Sequence, residues 1–109
     1  MLHHPNIVQF LGYQEETDYD QSHLFMEYCV GGDLWQYAVE NEKRKSYLNC
    51  FEIWLILSSL ASALAYCHYG VREEEGDSFS LILNWPLILH RDIKPANGEQ
   101  MWFISYVLR

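Results

Sequence analysis

The longest apolar segment, residues 53–67, limits most strongly how this chain can fold. Its apolar side chains recur at the i, i+3, i+4 and i+7 spacing of one helix face, while Trp54, Leu55 and Ala65 make other faces apolar too. We therefore predict a helix that is packed on several sides. The segment is shorter than the roughly 20 residues that cross a bilayer and it contains serines, so we expect a buried helix and no membrane span.

Short signals mark the ends of this helix and of a second one. Asn49 can cap the N-terminus of the long helix, with Glu52 at its third position as in a capping box. Gly70 is placed to end it, because glycine readily adopts the left-handed conformation that closes helices. Upstream, Asp33 follows two glycines and can cap a shorter helix over residues 34–42.

The other segments predict strands and loops, and therefore an α+β fold. Residues 7–13 and 23–28 are short apolar runs joined by a polar stretch, which predicts a hairpin-like strand pair. The acidic residues 71–80 predict an exposed loop. Residues 81–89 are interrupted by proline and form at most a broken strand, whereas residues 101–108 are apolar enough for one strand.

Length, charge and cysteine usage narrow the functional classes. The 109 residues suffice for one compact domain or less. A net charge of -8 disfavours nucleic acid and anionic membranes as partners, since both attract clustered Lys and Arg. The three cysteines lie far apart and the histidines lack metal-ligand spacing, so neither a disulfide framework nor a zinc site is expected. The N-terminal residues show no secretory or transit signal, which favours the cytoplasm or nucleus.

The most specific motif is His-Arg-Asp-Ile-Lys-Pro-Ala-Asn at residues 90–97. It matches every fixed position of the H-R-D-x-K-P-x-N catalytic loop, so the chain resembles the protein kinase family. The resemblance implies that Asp92 orients the substrate hydroxyl and accepts its proton. It implies that Lys94 neutralises the transferring phosphate and that Asn97 holds a magnesium ion.

The same resemblance gives roles to the rest of the loop. Arg91 would pair with a phosphorylated activation loop, and His90 would be a packing residue. Lysine two residues after the aspartate is typical of serine/threonine kinases, so Lys94 favours protein substrates with Ser or Thr. A chance loop is the alternative, and it is negligible for a motif with so many fixed positions.

A second match lies at residues 24–34, which resemble the kinase hinge. By that likeness Met26 is the gatekeeper, and backbone groups of Glu27 and Cys29 meet the adenine of ATP. Asp33 would hydrogen-bond the ribose. A plain helix cap is the alternative for Asp33, and both roles stay open because one carboxylate can serve both.

Two further segments follow in the order of the family. Residues 4–8 resemble the turn after helix C, and the long helix that ends near His68 resembles the central helix of the C-lobe. Hinge and helix residues lean faintly towards the never-in-mitosis group. The resemblance implies a partial protein-kinase-like fold, divided into residues 1–30 (end of the N-lobe and hinge), 31–97 (start of the C-lobe to the catalytic loop) and 98–109 (a divergent tail).

Other family motifs are not present in these residues. There is no glycine-rich loop, V-A-I-K lysine or D-F-G motif, and Glu99 stands where the family places an apolar residue beneath adenine. We therefore expect a serine/threonine kinase by family, using ATP and Mg²⁺, that is inactive and marginally soluble as this chain alone. A catalytically dead binding or regulatory fragment is the alternative, and an unrelated helical scaffold ranks far below.

Overall fold

The computed structural model describes residues 2–16, 21–74, 76, 78–102 and 105–108, with side chains up to residue 98. Within these residues the strands form three two-stranded sheets. The predicted α+β class is confirmed. The elements in chain order are β1 (Phe10–Glu16), β2 (Gln21–Met26), α1 (Leu34–Lys43), α2 (Cys50–Tyr69), β3 (Val71–Glu74), β4 (Ser78–Leu81), a 3₁₀ turn (Pro95–Asn97), β5 (Gly98–Trp102) and β6 (Ser105–Leu108).

Strands β1 and β2 pair antiparallel and lead into the segment that resembles a hinge. Phe10 lies opposite Met26, and the ladder runs to the pair Glu16 and Gln21. Beyond the ladder, the backbone N–H of Glu27 donates to the carbonyl of Gln9 at 2.9 Å. The predicted strand pair is confirmed, but both strands lie closer to the connecting turn than predicted, because cross-strand hydrogen bonds continue through polar residues that carry no apolar signal.

Helix α1 begins where its capping residue predicted. The Asp33 carboxylate accepts a hydrogen bond from the backbone N–H of Gln36 at 2.8 Å. Such a bond satisfies one of the amides that a helix N-terminus leaves without a partner. The helix ends at Lys43, whose positive charge lies at the negative end of the helix dipole. Local chemistry therefore fixes both ends of this element.

Helix α2 has both predicted ends. Asn49 and Glu52 form a complete capping box, in which each side chain accepts the backbone N–H of the other, at 2.9 and 2.8 Å. Gly70 closes the helix in the left-handed conformation, with φ of 67°, and its N–H reaches the carbonyls of Ala65 and Tyr66. The capped helix extends beyond the apolar segment at both ends.

Helix α2 is longer than the apolar segment for which no membrane span is expected. By its length of 20 residues and its apolar composition, α2 could cross a bilayer. It is one such helix in the described part of the chain. A core helix of a soluble protein passes the same test, so this is weak evidence for a span. The absence of a membrane partner stays a prediction.

The core of the described residues lies at the C-terminal end of α2. The ring of Tyr66 packs between His4 and Trp85, with ring centroids 4.9 and 4.7 Å away. The Trp85 indole N–H donates to the carbonyl of Cys67 at 2.9 Å. By contrast, Trp54 near the start of the helix is 69% exposed. The prediction of a helix packed on several sides is therefore wrong for its N-terminal half. The buried residues of the described part are His4, Cys29, Ala63, Tyr66, Cys67 and Gly70.

The acidic segment after α2 is a hairpin and not the predicted loop. Strand β3 pairs antiparallel with β4, from Val71 opposite Leu81 to Glu74 opposite Ser78. Gly76 occupies the connecting turn with φ of 78°, a conformation that glycine adopts without strain. Acidic composition misled the prediction because both polar and apolar residues can fill a strand that is open to solvent. Of residues 81–89, only Leu81 belongs to a strand.

The tail forms two strands where one was predicted. Strand β5 pairs antiparallel with β6, with Gly98 opposite Leu108 and Gln100 opposite Tyr106. The structure thus places residues 98–102 and 105–108 in two paired strands. The Glu99 side chain, which stands where the family places an apolar residue beneath adenine, lies outside the described side chains.

Candidate active site

The motif at residues 90–97 places three polar side chains together. The Lys94 ammonium lies 2.7 Å from Oδ2 of Asp92. The Asn97 amide Nδ2 donates to the same oxygen at 2.9 Å and to the Asp92 backbone carbonyl at 2.8 Å. The 3₁₀ turn positions the amide, since the backbone N–H of Asn97 donates to the Lys94 carbonyl at 2.9 Å. The structure therefore brings together the three residues predicted to carry phosphoryl transfer.

The backbone of the loop is also held locally. The N–H of Asp92 donates to Nδ1 of His90 at 3.2 Å, which agrees with a structural role for this histidine. Arg91 adopts a left-handed backbone conformation, with φ of 67°, which is uncommon for a residue with a Cβ atom. Conformations of this kind cluster at functional sites. The left-handed residue Arg91 thus directly precedes the carboxylate that contacts the Lys94 and Asn97 side chains.

The charge state of Asp92 suits an acceptor of hydrogen bonds. The Lys94 hydrogen bond, followed by the Asn97 hydrogen bond, holds the pKa of Asp92 below its ordinary value of 3.8. Asp92 is exposed and is therefore ionised at neutral pH. A carboxylate with a lowered pKa is a weak base, and in its ionised form it can accept hydrogen bonds from a hydroxyl group.

We predict that Lys94→Met raises the pKa of Asp92 towards 3.8, since the lysine is the largest cause of the lowering. The sign follows from linkage: a depressed pKa adds stability above pH 3.8 that is lost as the pH falls through the lower folded-state value. Carboxyl-carbon NMR titration measures the midpoint. Arg91→Met serves as the control, and an equal shift in both variants would contradict the assignment.

Residues of the hinge segment line a pocket of about 340 Å³. All four of the predicted nucleotide-binding residues, Met26, Glu27, Cys29 and Asp33, contribute to its wall. The Cys29 carbonyl accepts the N–H of Gly32 at 3.4 Å, which turns the chain around one side of the pocket. The full lining is Val8, Met26, Glu27, Tyr28, Cys29, Gly32, Asp33 and Gln36.

Asp33 lies where its two proposed roles meet. Its Oδ1 caps α1, so the capping role is confirmed. The residue also lines the hinge pocket, and a carboxylate has a second oxygen that can accept another hydrogen bond. The geometry is therefore compatible with ribose binding and does not test it.

Two residues of the pocket, Val8 and Gln36, lie outside the predicted hinge segment of residues 24–34 and were missed by sequence reasoning. Val8 precedes β1 in the chain and lines the pocket together with Gln36 of α1. A Cβ atom on Gly32 would lie 2.7 Å from Oε1 of Gln36, so the glycine leaves room for this side chain. The succession of two glycines, Asp33 and Gln36 in the sequence was a usable signal for this contact.

The three catalytic-loop residues lie outside the hinge pocket, but the 3₁₀ turn that contains Asn97 lies close to helix α1, which contributes to the pocket wall. None of the three loop residues belongs to the described lining of the pocket. Helix α1 contacts the 3₁₀ turn, and Leu34 at its first position lies against Gly98, where a Cβ atom would be 2.6 Å from Cδ1 of the leucine. Helix α1 therefore links the loop to the hinge.

The donor set of the loop fits a magnesium ion only in part. Magnesium prefers oxygen ligands. The amide nitrogen of Asn97 donates a hydrogen bond to Asp92, so Oδ1 of Asn97 is the atom of this side chain that can bind a cation. Among the described residues, no group of three or more His, Cys, Asp or Glu side chains could hold a metal. The loop can therefore supply one ligand to a metal that is held mainly by other groups, such as substrate phosphates.

Comparison with known proteins identifies the class of this chain. A family model for the protein kinase domain matches residues 1–98. The chain therefore belongs to the protein kinase domain family, and both the predicted resemblance and the partial kinase-like fold are confirmed.

Curated relatives define the branch more closely. The chain is 38% identical over 109 residues to the G2-specific protein kinase nimA of Emericella nidulans and 37% over 106 residues to the G2-specific protein kinase nim-1 of Neurospora crassa. It is 33% identical over 96 residues to the serine/threonine-protein kinase Nek2 of Homo sapiens. Each match covers 88% of this chain but only 15%, 12% and 19% of the respective relative. These relatives agree with the lean towards the never-in-mitosis group.

Proposed function

We propose that this chain provides the hinge and catalytic loop of a serine/threonine protein kinase, which transfers a phosphoryl group from ATP to Ser or Thr of a protein. The observation that carries this proposal is the convergence of Lys94 and Asn97 on one oxygen of Asp92. Phosphoryl transfer depends mainly on positioning and on offsetting charge, and these side chains supply an acceptor, a cation and a metal-binding amide.

The transfer step assigns one task to each side chain. Asp92 accepts a hydrogen bond from the attacking hydroxyl and takes up its proton as the oxygen bonds to phosphorus. Lys94, which is paired with Asp92, then moves partly away from that carboxylate and offsets the charge on the transferring phosphoryl group. Asn97 anchors the Asp92 carboxylate through Nδ2, and its Oδ1 would supply an oxygen ligand to a cation. Magnesium, when bound, offsets the charge of the phosphate oxygens.

ATP binding is proposed for the hinge pocket. The backbone N–H of Glu27 donates to the Gln9 carbonyl, so the carbonyl of Glu27 and the backbone of Cys29 are the groups proposed to bind the adenine edge. Met26 would act as the gatekeeper beside them, and Asp33 would bind the ribose through the oxygen that does not cap α1. The pocket volume of about 340 Å³ is at the low end of typical ligand sites.

On its own, this chain is proposed to be inactive. A glycine-rich loop and a D-F-G motif are not among its 109 residues, and these parts hold the phosphates and the main magnesium ion. Protein substrates with Ser or Thr and ATP are the proposed partners, and the cytoplasm or nucleus is the proposed location. The second candidate is a catalytically dead binding or regulatory fragment. In such a fragment the hinge pocket would still be able to bind a ligand.

The longest polypeptide that the gene encodes should phosphorylate Ser or Thr in a general protein substrate with labelled ATP. Asp92→Asn should lower the rate at least about 100-fold, the lower range for a catalytic acid or base, because the amide cannot accept the proton. Glu40→Gln, a neutralised carboxylate on the exposed surface of α1, is the matched control and should leave the rate unchanged. A rate that is equal in the Asp92→Asn and parent proteins would overturn the proposal, while nucleotide binding without any transfer would favour the regulatory fragment.

A further inference from the structure

Ser62 on α2 joins two segments that are distant in the sequence. Its Oγ lies 3.3 Å from Nε2 of His4, which precedes β1, and 2.7 Å from Oε1 of Glu73, which lies on β3. The three residues therefore connect the N-terminal segment to the hairpin of residues 71–81 through one hydroxyl group. These contacts involve none of the residues of the candidate active site.

The direction of each hydrogen bond in this relay is fixed. The backbone N–H of Asn6 donates to Nδ1 of His4 at 3.1 Å, so Nδ1 carries no proton. Neutral His4 therefore carries its proton on Nε2 and donates it to Ser62. The Ser62 hydroxyl then donates to the Glu73 carboxylate, which is able only to accept. Every donor in the relay has an acceptor only while the imidazole is neutral.

The order of contacts excludes a nucleophilic triad made from the same residue types. In such a triad the carboxylate holds the histidine and the histidine takes the serine proton. Here Glu73 accepts from Ser62, and His4 receives a backbone N–H on its second nitrogen. The arrangement therefore binds and orients, and it has no base available to activate the hydroxyl.

The surroundings of His4 oppose its protonation. The side chain is largely buried, with 9% of the residue exposed, and its ring stacks on Tyr66 of α2. The titratable groups that face it are Tyr66 from α2 and Glu73 from β3, with His3 as its neighbour in the chain. Burial lowers the pKa of His4 below 6.5, and the Glu73 charge partly offsets this lowering.

The N-terminal segment continues from His4 to the hinge. The His3 backbone N–H donates to the Tyr66 hydroxyl at 3.3 Å, and His3 Nδ1 lies 3.0 Å from Oε1 of Gln9. The Gln9 carbonyl accepts the backbone N–H of Glu27 in the hinge segment at 2.9 Å. The backbone joins His3 and Gln9 to the turn at residues 4–7, so a change in this turn can reach Glu27 through the backbone and these hydrogen bonds.

We propose that the relay of Glu73, Ser62 and His4 couples the hairpin of residues 71–81 to the hinge and holds the turn at residues 4–7 only while His4 is neutral. Protonation adds a proton at Nδ1, which then repels the Asn6 N–H instead of accepting it. The hairpin thereby raises, through the Glu73 charge, the pH at which the turn is released.

The test is an NMR titration of the whole 109-residue chain, labelled with ¹⁵N. His4 should titrate below pH 6.5, and the amide of Asn6 should lose protection from hydrogen exchange over the same pH range. Glu73→Gln keeps an oxygen that accepts from Ser62 but removes the charge that raises the pKa of His4, so the His4 midpoint should fall. Glu74→Gln is the matched control, because Glu74 is the next residue on β3 and bonds to Ser80 instead, and it should shift the midpoint much less.

Coupling to the hinge is measured in a double-mutant cycle. Glu73→Gln should displace the Glu27 amide resonance in the parent chain and should leave it unchanged once Ser62→Ala has removed the bridge. A His4 midpoint at or above pH 6.5, equal shifts in the Glu73 and Glu74 variants, or a Glu27 response that is the same with and without Ser62 would each overturn the proposal.

Discussion

The Tyr66→Ala variant is expected to lose the cooperative unfolding transition of this chain. In the described residues Tyr66 is the one large side chain that is fully buried, with 1% exposed. Its ring contacts His4 on one side and Trp85 on the other, and its hydroxyl accepts the His3 N–H. Truncating a buried aromatic ring costs about 3 to 5 kcal/mol, which approaches the whole stability of many small domains, about 5 to 15 kcal/mol.

Thermal melting followed by circular dichroism measures this effect. Tyr66→Phe keeps the ring and removes only the hydroxyl, so it should cost about 1 kcal/mol and retain the transition of the parent chain. Tyr47→Ala removes an equal side chain that is 91% exposed and should change the melting temperature little. A Tyr66→Ala chain that melts like the Tyr47→Ala chain would show that the cluster around Tyr66 is not the stabilising core.

The small size of this core agrees with the marginal solubility that we predict for the isolated chain. No observation in the structure tests this prediction. The buried apolar residues in the described part are Cys29, Ala63, Tyr66 and Cys67. On α2, by contrast, Phe51 and Trp54 are more than two-thirds exposed. Large contiguous apolar surfaces of soluble proteins usually form contacts, and aggregation is the common result when they have none.

The sequence predicted best those parts of the fold that depend on neighbouring residues. The caps at Asp33, Asn49 and Gly70 lie as predicted, because a cap requires only a side chain and the backbone within one helical turn. The hairpin of residues 71–81 was not predicted, since its strands carry polar residues and its pairing depends on a turn at Gly76. Local charge composition does not determine strand pairing.

The same distinction holds for the candidate active site. The resemblance of residues 90–97 to a kinase loop predicted the contacts of Asp92 with Lys94 and Asn97, all within one short turn. The relay through Ser62 could not be predicted, because its contact with His4 joins residues 58 positions apart. Such contacts follow from how α2 packs on the N-terminal segment, and no local pattern encodes that packing.

The Gly70→Ala variant should be strongly destabilised, for two separate physical reasons. Gly70 closes α2 at φ of 67°, where an alanine costs about 1 to 2 kcal/mol. A Cβ atom there would also lie 2.7 Å from Cγ and 2.9 Å from Cβ of Trp85, and these atoms are held close to the backbone. Overpacking of this kind costs about 1 to 3 kcal/mol more, so we expect a total loss of about 4 kcal/mol.

Gly76→Ala separates the two causes of the Gly70 effect. Gly76 has φ of 78°, yet a Cβ atom on it would meet no other atom within 4 Å. It should therefore show the backbone cost alone, about 1 to 2 kcal/mol, in the same urea unfolding experiment. Indole fluorescence should report a displaced Trp85 only in Gly70→Ala, because Trp85 packs directly against Tyr66. Equal losses in the two variants would mean that the contact between Gly70 and Trp85 adds nothing to the stability of the core, and that α2 is stabilised by its caps and not by the packing at its C-terminal end.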